Sequence, residues 1–213
     1  MHSIQVDWET EAVAVTTCDG VDDLERKLAH RTVTSGCGQG TVFGRISDYL
    51  DRLRLPAAEV RQSRIYDLLE RLSAHNEVYK RAGAVHGCAL CAAGGIELFV
   101  EDVGRHNAAD AIAGHMWLNA VDGADKLFYT TGRLTSEMVI KTAQMGIPAL
   151  VSRSGFTAWG VEIARQVGLT LLGRMRGQRF VCLSGEERLL RDADPGGVNE
   201  EPARHRRKGA RDG

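Results

Sequence analysis

Three stretches of this chain end an apolar run with the same small set of residues. They are Glu101-Asp102-Val103-Gly104-Arg105-His106-Asn107, Thr130-Thr131-Gly132-Arg133-Leu134-Thr135-Ser136-Glu137 and Ser152-Arg153-Ser154-Gly155-Phe156-Thr157. Each holds a glycine that lets backbone approach a ligand, an arginine, and hydroxyl or amide side chains, directly before a helical pattern. A helix N-terminus presents backbone N–H groups and a partial positive charge, which suits phosphate, and a guanidinium adds a forked pair of donors. A single Gly-Arg turn is usually only a cap with a solvated arginine. Three of them at successive strand ends of one sheet are expected to lie along one edge and to receive an anionic, phosphate-bearing ligand. The candidate ligand-binding residues are Asp102, Gly104, Arg105 and His106, then Gly132, Arg133 and Ser136, then Ser152 and Arg153, with His86 on the preceding strand.

The cysteines offer a second chemistry. Cys88-Ala-Leu-Cys91 is a CxxC with His86 two residues upstream, a pattern used by zinc sites and by thiol–disulfide exchange. On a strand, residues 86 and 88 point to one face and 91 to the other, so neither a metal tetrahedron nor a thiol pair closes easily. A zinc deaminase needs His-x-Glu, and this chain reads His86-Gly87-Cys88. Cys88 and Cys91 are therefore expected to be buried packing residues, as are Cys18 and Cys182 at strand ends. Cys37 differs. It stands in Ser35-Gly36-Cys37-Gly38-Gln39-Gly40 with no apolar burial pattern around it. Such a loop suits an exposed reactive thiol and equally an incidental one.

The elements that must position these residues are legible from periodicity. Ile4 to Val6 and Ala12 to Thr16 read as strands, Val21 to Ala29 as a short helix, and Arg31 to Thr41 as a loop. Phe43 to Leu53 reads as a helix stopped by Pro56. Glu59 to His75 carries Ile65, Leu68, Leu69 and Leu72 at i, i+3, i+4 and i+7, one buried helical face. Val85 to Leu90 and Ile96 to Glu101 form a hairpin around Gly94-Gly95, and Asp102 stands where the cap of a helix from Gly104 to Trp117 belongs. Strands at Lys126 to Thr130, Ala149 to Ser152 and Leu169 to Leu172 alternate with helices at Thr135 to Met145 and Thr157 to Val167. Arg179 to Leu183 adds a last strand. This alternation implies right-handed crossovers and an α/β fold with a mixed, mainly parallel sheet. The expected organisation is an N-terminal appendage over 1–34, a main domain over 35–185 and a polar, disordered tail over 186–213 that ends in a solvated basic run.

Composition limits the function classes. The chain has 213 residues, 43% apolar and 26% charged, with a net charge of -1. That balance supplies no basic field for nucleic acid. No run approaches the roughly 18 apolar residues of a membrane span. MHSIQVDWETEA carries acids where a signal peptide needs an apolar core, so a cytoplasmic protein is expected. Five cysteines at irregular spacing fit a reducing compartment.

Taken together, VTSGCGQG, AGAVHGCAL, FVEDVGRHNAADAIAG, TTGRLTSEMVIKTAQMGIPALVSRSGFTAWGVEIA and GLTLLGRMRGQRF resemble the FdhD family, over roughly Thr32 to Leu183. The resemblance implies a cytidine-deaminase-like three-layer fold and a homodimer. It implies a sulfurtransferase that accepts persulfide sulfur from a cysteine desulfurase. The sulfur goes to the molybdenum cofactor, bis(molybdopterin guanine dinucleotide), which serves formate dehydrogenase. That cofactor is the bound substrate, and no resident metal is implied. The family's persulfide cysteine lands on Cys37, and its cofactor-binding segment on Arg174, Met175, Arg176, Gly177, Gln178 and Arg179. The chain departs from the family in two places. Gly40 stands where many members carry a second loop cysteine, and only Met1 to Thr34 precede the loop where the family usually has a longer N-terminal part. Two alternatives of other classes are a cofactor-binding chaperone without sulfur transfer and a zinc deaminase-like enzyme.

Overall fold

The structure is a computed structural model that describes residues 2–18 and 50–194. The chain divides into two compact units, 1–46 and 47–213. In the first unit, β1 (Ser3–Asp7) and β2 (Ala12–Thr16) form an antiparallel hairpin in the register Ile4↔Val15 and Val6↔Val13. The expected helix at Val21 to Ala29, the loop with Cys37 and most of the helix at Phe43 to Leu53 lie outside the described residues.

The second unit is built on six strands: β4 (His86–Ala92), β5 (Gly95–Asp102), β6 (Leu127–Thr130), β7 (Ala149–Ser152), β8 (Thr170–Arg176) and β9 (Arg179–Ser184). Their order is β5-β4-β6-β7-β8-β9. The sheet is mixed: β6, β7 and β8 are parallel, while β4 runs antiparallel to both of its neighbours and β9 antiparallel to β8. Two reversals through β4 leave β5, β6, β7 and β8 all pointing the same way. Their carboxyl ends therefore share one edge with the start of β4 and the start of β9.

Helices cover both faces. The residues Ile65, Leu68 and Leu72 of α1 (Gln62–His75) pack on Ala89, Cys91, Leu127, Tyr129, Val151 and Leu172. The alternate strand residues Cys88, Leu90, Phe128, Leu150 and Leu171 are also buried. They point to the opposite face. That face carries α3 (Arg105–Leu118), α4 (Ser136–Gln144) and α5 (Ala158–Val167). The mixed α/β architecture in three layers is the one expected.

Two parts of the fold differ from expectation. A short helix α2 (Glu77–Ala82) follows α1 and buries none of its residues, so no apolar period announces it. Its N-terminus is held by the Glu101 carboxylate, which accepts from Val78 N at 2.9 Å and Tyr79 N at 3.0 Å. Residues 186–194, expected to belong to the tail, are ordered, and 195–213 lie outside the described residues. A 3-10 turn at Glu186–Arg188 leads into β10 (Leu189–Leu190), which pairs with β3 (Val60–Arg61). The reason lies partly at the start of α1, whose N-cap Arg61 makes no side-chain cap. The Asp192 carboxylate supplies the cap instead, accepting from Ser63 N at 2.9 Å and Ser63 Oγ at 2.7 Å.

Candidate functional site

All three Gly-Arg junctions lie on the shared edge, because they follow β5, β6 and β7. The second and third are tied together by hydrogen bonds rather than merely adjacent. Ser152 Oγ donates to Gly132 O at 2.6 Å and accepts from Ser154 N at 2.9 Å. Leu134 N donates to Gly155 O at 2.9 Å, and Thr157 N to Leu134 O at 3.1 Å. Thr131 joins β6 to β4, its N donating to Gly87 O at 2.9 Å and its hydroxyl accepting from Gly87 N at 3.0 Å. Gly132 permits the closest approach: a Cβ there would stand 2.7 Å from Arg105 Cδ. The first junction thus leans its arginine on the second.

Asp102 does not cap α3. The N-cap is Gly104, and the Asp102 carboxylate accepts from Gly104 N at 2.7 Å and Asn107 Nδ2 at 3.1 Å, fixing the turn. The first residue able to cap from sequence order was two positions too early. Neither α3 nor α4 takes a side-chain cap at its start, whereas Thr157 Oγ1 caps α5 by accepting from Gly160 N at 3.2 Å. Uncapped N–H groups at α3 and α4 are the ones suited to an anion.

The edge carries two clefts. The first, of about 500 Å³, is walled by His86, Gly87, Thr131, Arg153 and Ser154, with Asn76 and Tyr79 closing its far side. The second, of about 530 Å³, lies between α1 (Tyr66, Glu70, Ser73) and the turn holding Met175, Gly177 and Gln178, again with Arg153. Arg153 is common to both. The structure therefore joins His86 with Arg153 in one cleft, and Arg153 with half of the Arg174 to Arg179 segment in the other. Arg174 turns aside with φ 54° and sets its guanidinium 5.7 Å from the Phe156 ring centre. Arg176 pairs with Arg179 across a two-residue turn in which Gly177 has φ 56°, a conformation natural to glycine. Arg133 is exposed, and Ser136 is buried beneath the start of α4. His106 Nε2 pairs with Glu137 Oε2 at 3.2 Å, linking α3 to α4 outside the clefts.

Neither imidazole favours its charged form. Burial, then the Arg105 guanidinium, lowers the His86 pKa. Burial and Arg105 likewise lower that of His106, against the opposing pull of Glu137. Neutral His86 can both donate and accept at the mouth of the first cleft.

Sequence reasoning missed Asn76 and Tyr79 because they sit at the α1–α2 break, in a stretch without apolar rhythm. The polar Tyr66, Glu70 and Ser73 have a signal in hindsight. They occupy the flank of the α1 stripe, next to its buried face.

Cys88 and Cys91 have separate surroundings on the two faces of β4. Cys88 Sγ lies 3.3 Å from Thr130 Oγ1 on the α3 face, and Cys91 belongs to the α1-side core. Both are fully buried. Burial pushes the Cys88 thiol up to about 11 and the Cys91 thiol up to about 12, so both stay protonated near neutral pH. Among the described residues, no group of three or more metal-ligating side chains comes together. Native protein treated with iodoacetamide is expected to leave Cys88 and Cys91 unmodified, and both to react once urea unfolds it. Peptide mass mapping reads this, and rapid native labelling of either would contradict their burial.

Sulfur carrier protein FdhD of Wolinella succinogenes is 28% identical over 180 residues, covering 84% of this chain and 63% of that protein. Sulfur carrier protein FdhD of Sulfurisphaera tokodaii is 35% identical over 171 residues, covering 78% and 65%. A crystal structure of a proposed formate dehydrogenase accessory protein from Desulfotalea psychrophila superposes with a TM-score of 0.62 at 33% identity, covering 67% of this chain and 62% of that one. The chain thus spans somewhat less than two thirds of the length of these relatives. Among the described residues no helix is long and apolar enough to cross a membrane. The sequence model of the FdhD/NarQ family matches residues 1–190, and the chain belongs to that family.

Proposed function

We propose that this chain is a sulfur carrier that takes persulfide sulfur from a cysteine desulfurase onto Cys37 and delivers it to bis(molybdopterin guanine dinucleotide), the molybdenum cofactor of formate dehydrogenase. The relatives named as sulfur carriers support the first half of this reading. The observation that carries the second half is the pair of clefts sharing Arg153 on an edge built from glycine turns, uncapped helix starts and arginines. A dinucleotide cofactor brings phosphates and a heterocycle, which such an edge can bind through guanidinium forks, backbone N–H groups and the neutral His86. The protein acts in the cytoplasm, as a homodimer.

The chemistry is exchange at sulfur. The Cys37 thiolate attacks the outer sulfur of the desulfurase persulfide. A new sulfur–sulfur bond forms on Cys37, the old one breaks, and the desulfurase cysteine leaves as its thiolate. In the sequence Cys37 is flanked by Gly36 and Gly38, residues without a side chain to crowd a reacting sulfur. With Gly40 in place of a second loop thiol, the carrier works with one cysteine in that loop.

The test is incubation of the purified chain with a cysteine desulfurase and cysteine, followed by intact mass and peptide mapping. The expected result is a gain of one sulfur atom, located on Cys37 and removed by dithiothreitol. A chain that binds the cofactor but never gains sulfur would instead be a cofactor-binding chaperone.

A further inference from the structure

α2 is a helix with little of its own to hold it. It has six residues and buries none of them. Helices that short are unstable alone, and most helical stability in a protein comes from a packed face, which α2 lacks. Its N-cap, Asn76, makes no side-chain cap; the Asn76 amide donates back to Leu72 O at 3.2 Å, on the last turn of α1. Glu101 of β5 takes over. Its carboxylate accepts from Val78 N at 2.9 Å and from Tyr79 N at 3.0 Å. These are the second and third residues of α2, whose N–H groups a capping side chain normally takes. A carboxylate there also meets the positive end of the helix. At the other end Gly83, with φ 71°, donates its N–H to Tyr79 O at 2.8 Å. Tyr79 is therefore held through both its N–H and its C=O.

Tyr79 lines the first cleft together with His86 and Arg153, and it is 53% exposed. A half-exposed aromatic residue in a cleft offers ring surface to a flat partner. Glu101 pairs in register with Gly87, another residue of the cleft wall, so the capping carboxylate is rooted in the sheet beside the cleft. We propose that Tyr79 is the wall on which the heterocycle of a nucleotide ligand stacks in the first cleft, and that Glu101 is a positioning residue that holds it there by capping α2. This rests on the cofactor-binding reading above and adds to it the residue that takes the heterocycle and the one that aims it. The two ends of the ligand then meet different chemistry. The guanidinium of Arg153 suits the phosphates, and the Tyr79 ring suits the base. Without the carboxylate, α2 has neither a cap nor a buried face, and the wall is populated for only part of the time.

The test is a double-mutant cycle on the full chain, with guanosine diphosphate and inorganic pyrophosphate as probes and calorimetric titration as the readout. The first probe has a base and the second has only phosphates. Tyr79→Ala is expected to weaken guanosine diphosphate by about tenfold and to leave pyrophosphate unchanged, while Tyr79→Phe, which keeps the ring, binds both as the wild type does. Glu101→Ala is expected to weaken guanosine diphosphate several-fold, again without effect on pyrophosphate, and to add nothing in the Tyr79→Ala background. Glu101→Gln keeps an acceptor oxygen and is expected to restore most of the affinity. Equal losses for both probes in Tyr79→Ala would show a general structural role and overturn the proposal, as would undiminished guanosine diphosphate binding. A Glu101→Ala loss of the same size in both backgrounds would overturn its positioning role. Wild-type protein that binds neither probe would overturn the cofactor-binding reading itself. Because α2 buries nothing, Tyr79→Ala and Glu101→Ala are expected to melt within about 2 °C of the wild type. A larger fall accompanied by weaker binding of both probes would assign both residues to the fold rather than to the ligand.

Discussion

Cells in which Cys37→Ala replaces the native protein are expected to lose formate dehydrogenase activity to the level of a strain lacking the protein. The effect is total because a carrier holds its sulfur through one covalent bond, and alanine has no atom to form it. Substitution by serine is expected to fail as well, since a hydroxyl is a poor nucleophile towards a persulfide at neutral pH. The other cysteines near the candidate site cannot stand in. Cys88 and Cys91 are fully buried and protonated, with burial lifting their thiols to about 11 and about 12. A thiol so far from its thiolate form near neutral pH attacks slowly, and one that solvent cannot reach does not meet a protein donor at all. The assay is formate-dependent dye reduction in complemented cells, with immunoblotting to show equal amounts of carrier. Full activity in Cys37→Ala would remove the nucleophile from the proposal while leaving the cofactor edge untouched. It would favour a chaperone that binds the cofactor without carrying sulfur.

What could be read from the sequence divides along physical lines. The edge was legible because its signals are local and repeated: an apolar run of four or five residues, a glycine, an arginine, then a helical period. β7 spans Ala149–Ser152 as expected, and β6 and α5 begin within one residue of their expected starts. The direction of β4 was legible from the glycine turn at its end. The hidden parts lack a period of their own. α2 buries nothing and is held by a carboxylate from β5, so only the tertiary structure makes it a helix. Asn76 and Tyr79 enter the first cleft through that unannounced element. β3 and β10 are two residues each, too short for any alternation, and Asp192 becomes structural only by meeting a helix start 129 positions away. β8 extends to Arg176 although its apolar run stops at Leu172. Register irregularities between Leu171 and Leu172 and between Gly173 and Arg176 let polar residues continue the strand.

Leu72→Ala is expected to be the most damaging single change on the α1 side of the core. Leu72 is 0% exposed and sits in the apolar cluster that fastens α1 to Tyr129, Val151 and Leu172. Truncation removes three carbons from a site bounded by the sheet, which is rigid and cannot collapse into the space. Leu→Ala at such positions costs about 3–5 kcal/mol, a transfer loss plus a cavity loss. Domains of this kind hold only about 5–15 kcal/mol in total, so the change consumes a large share of the stability. The consequence reaches the site because α1 is a wall of both clefts, through Tyr66 and Ser73 on one side and Asn76 on the other. Asn76 Nδ2 donates to Leu72 O at 3.2 Å, so loosening the last turn of α1 also frees the wall residue it holds. Urea denaturation followed by circular dichroism reads the effect as a lower midpoint with an unchanged slope. Glu70→Ala, on the exposed flank of the same helix, is the control and is expected to shift stability by no more than about 0.5 kcal/mol. A Leu72→Ala loss below about 1 kcal/mol would mean that α1 is not packed on the sheet in this way, and the second cleft, which needs α1 as its wall, would fall with it.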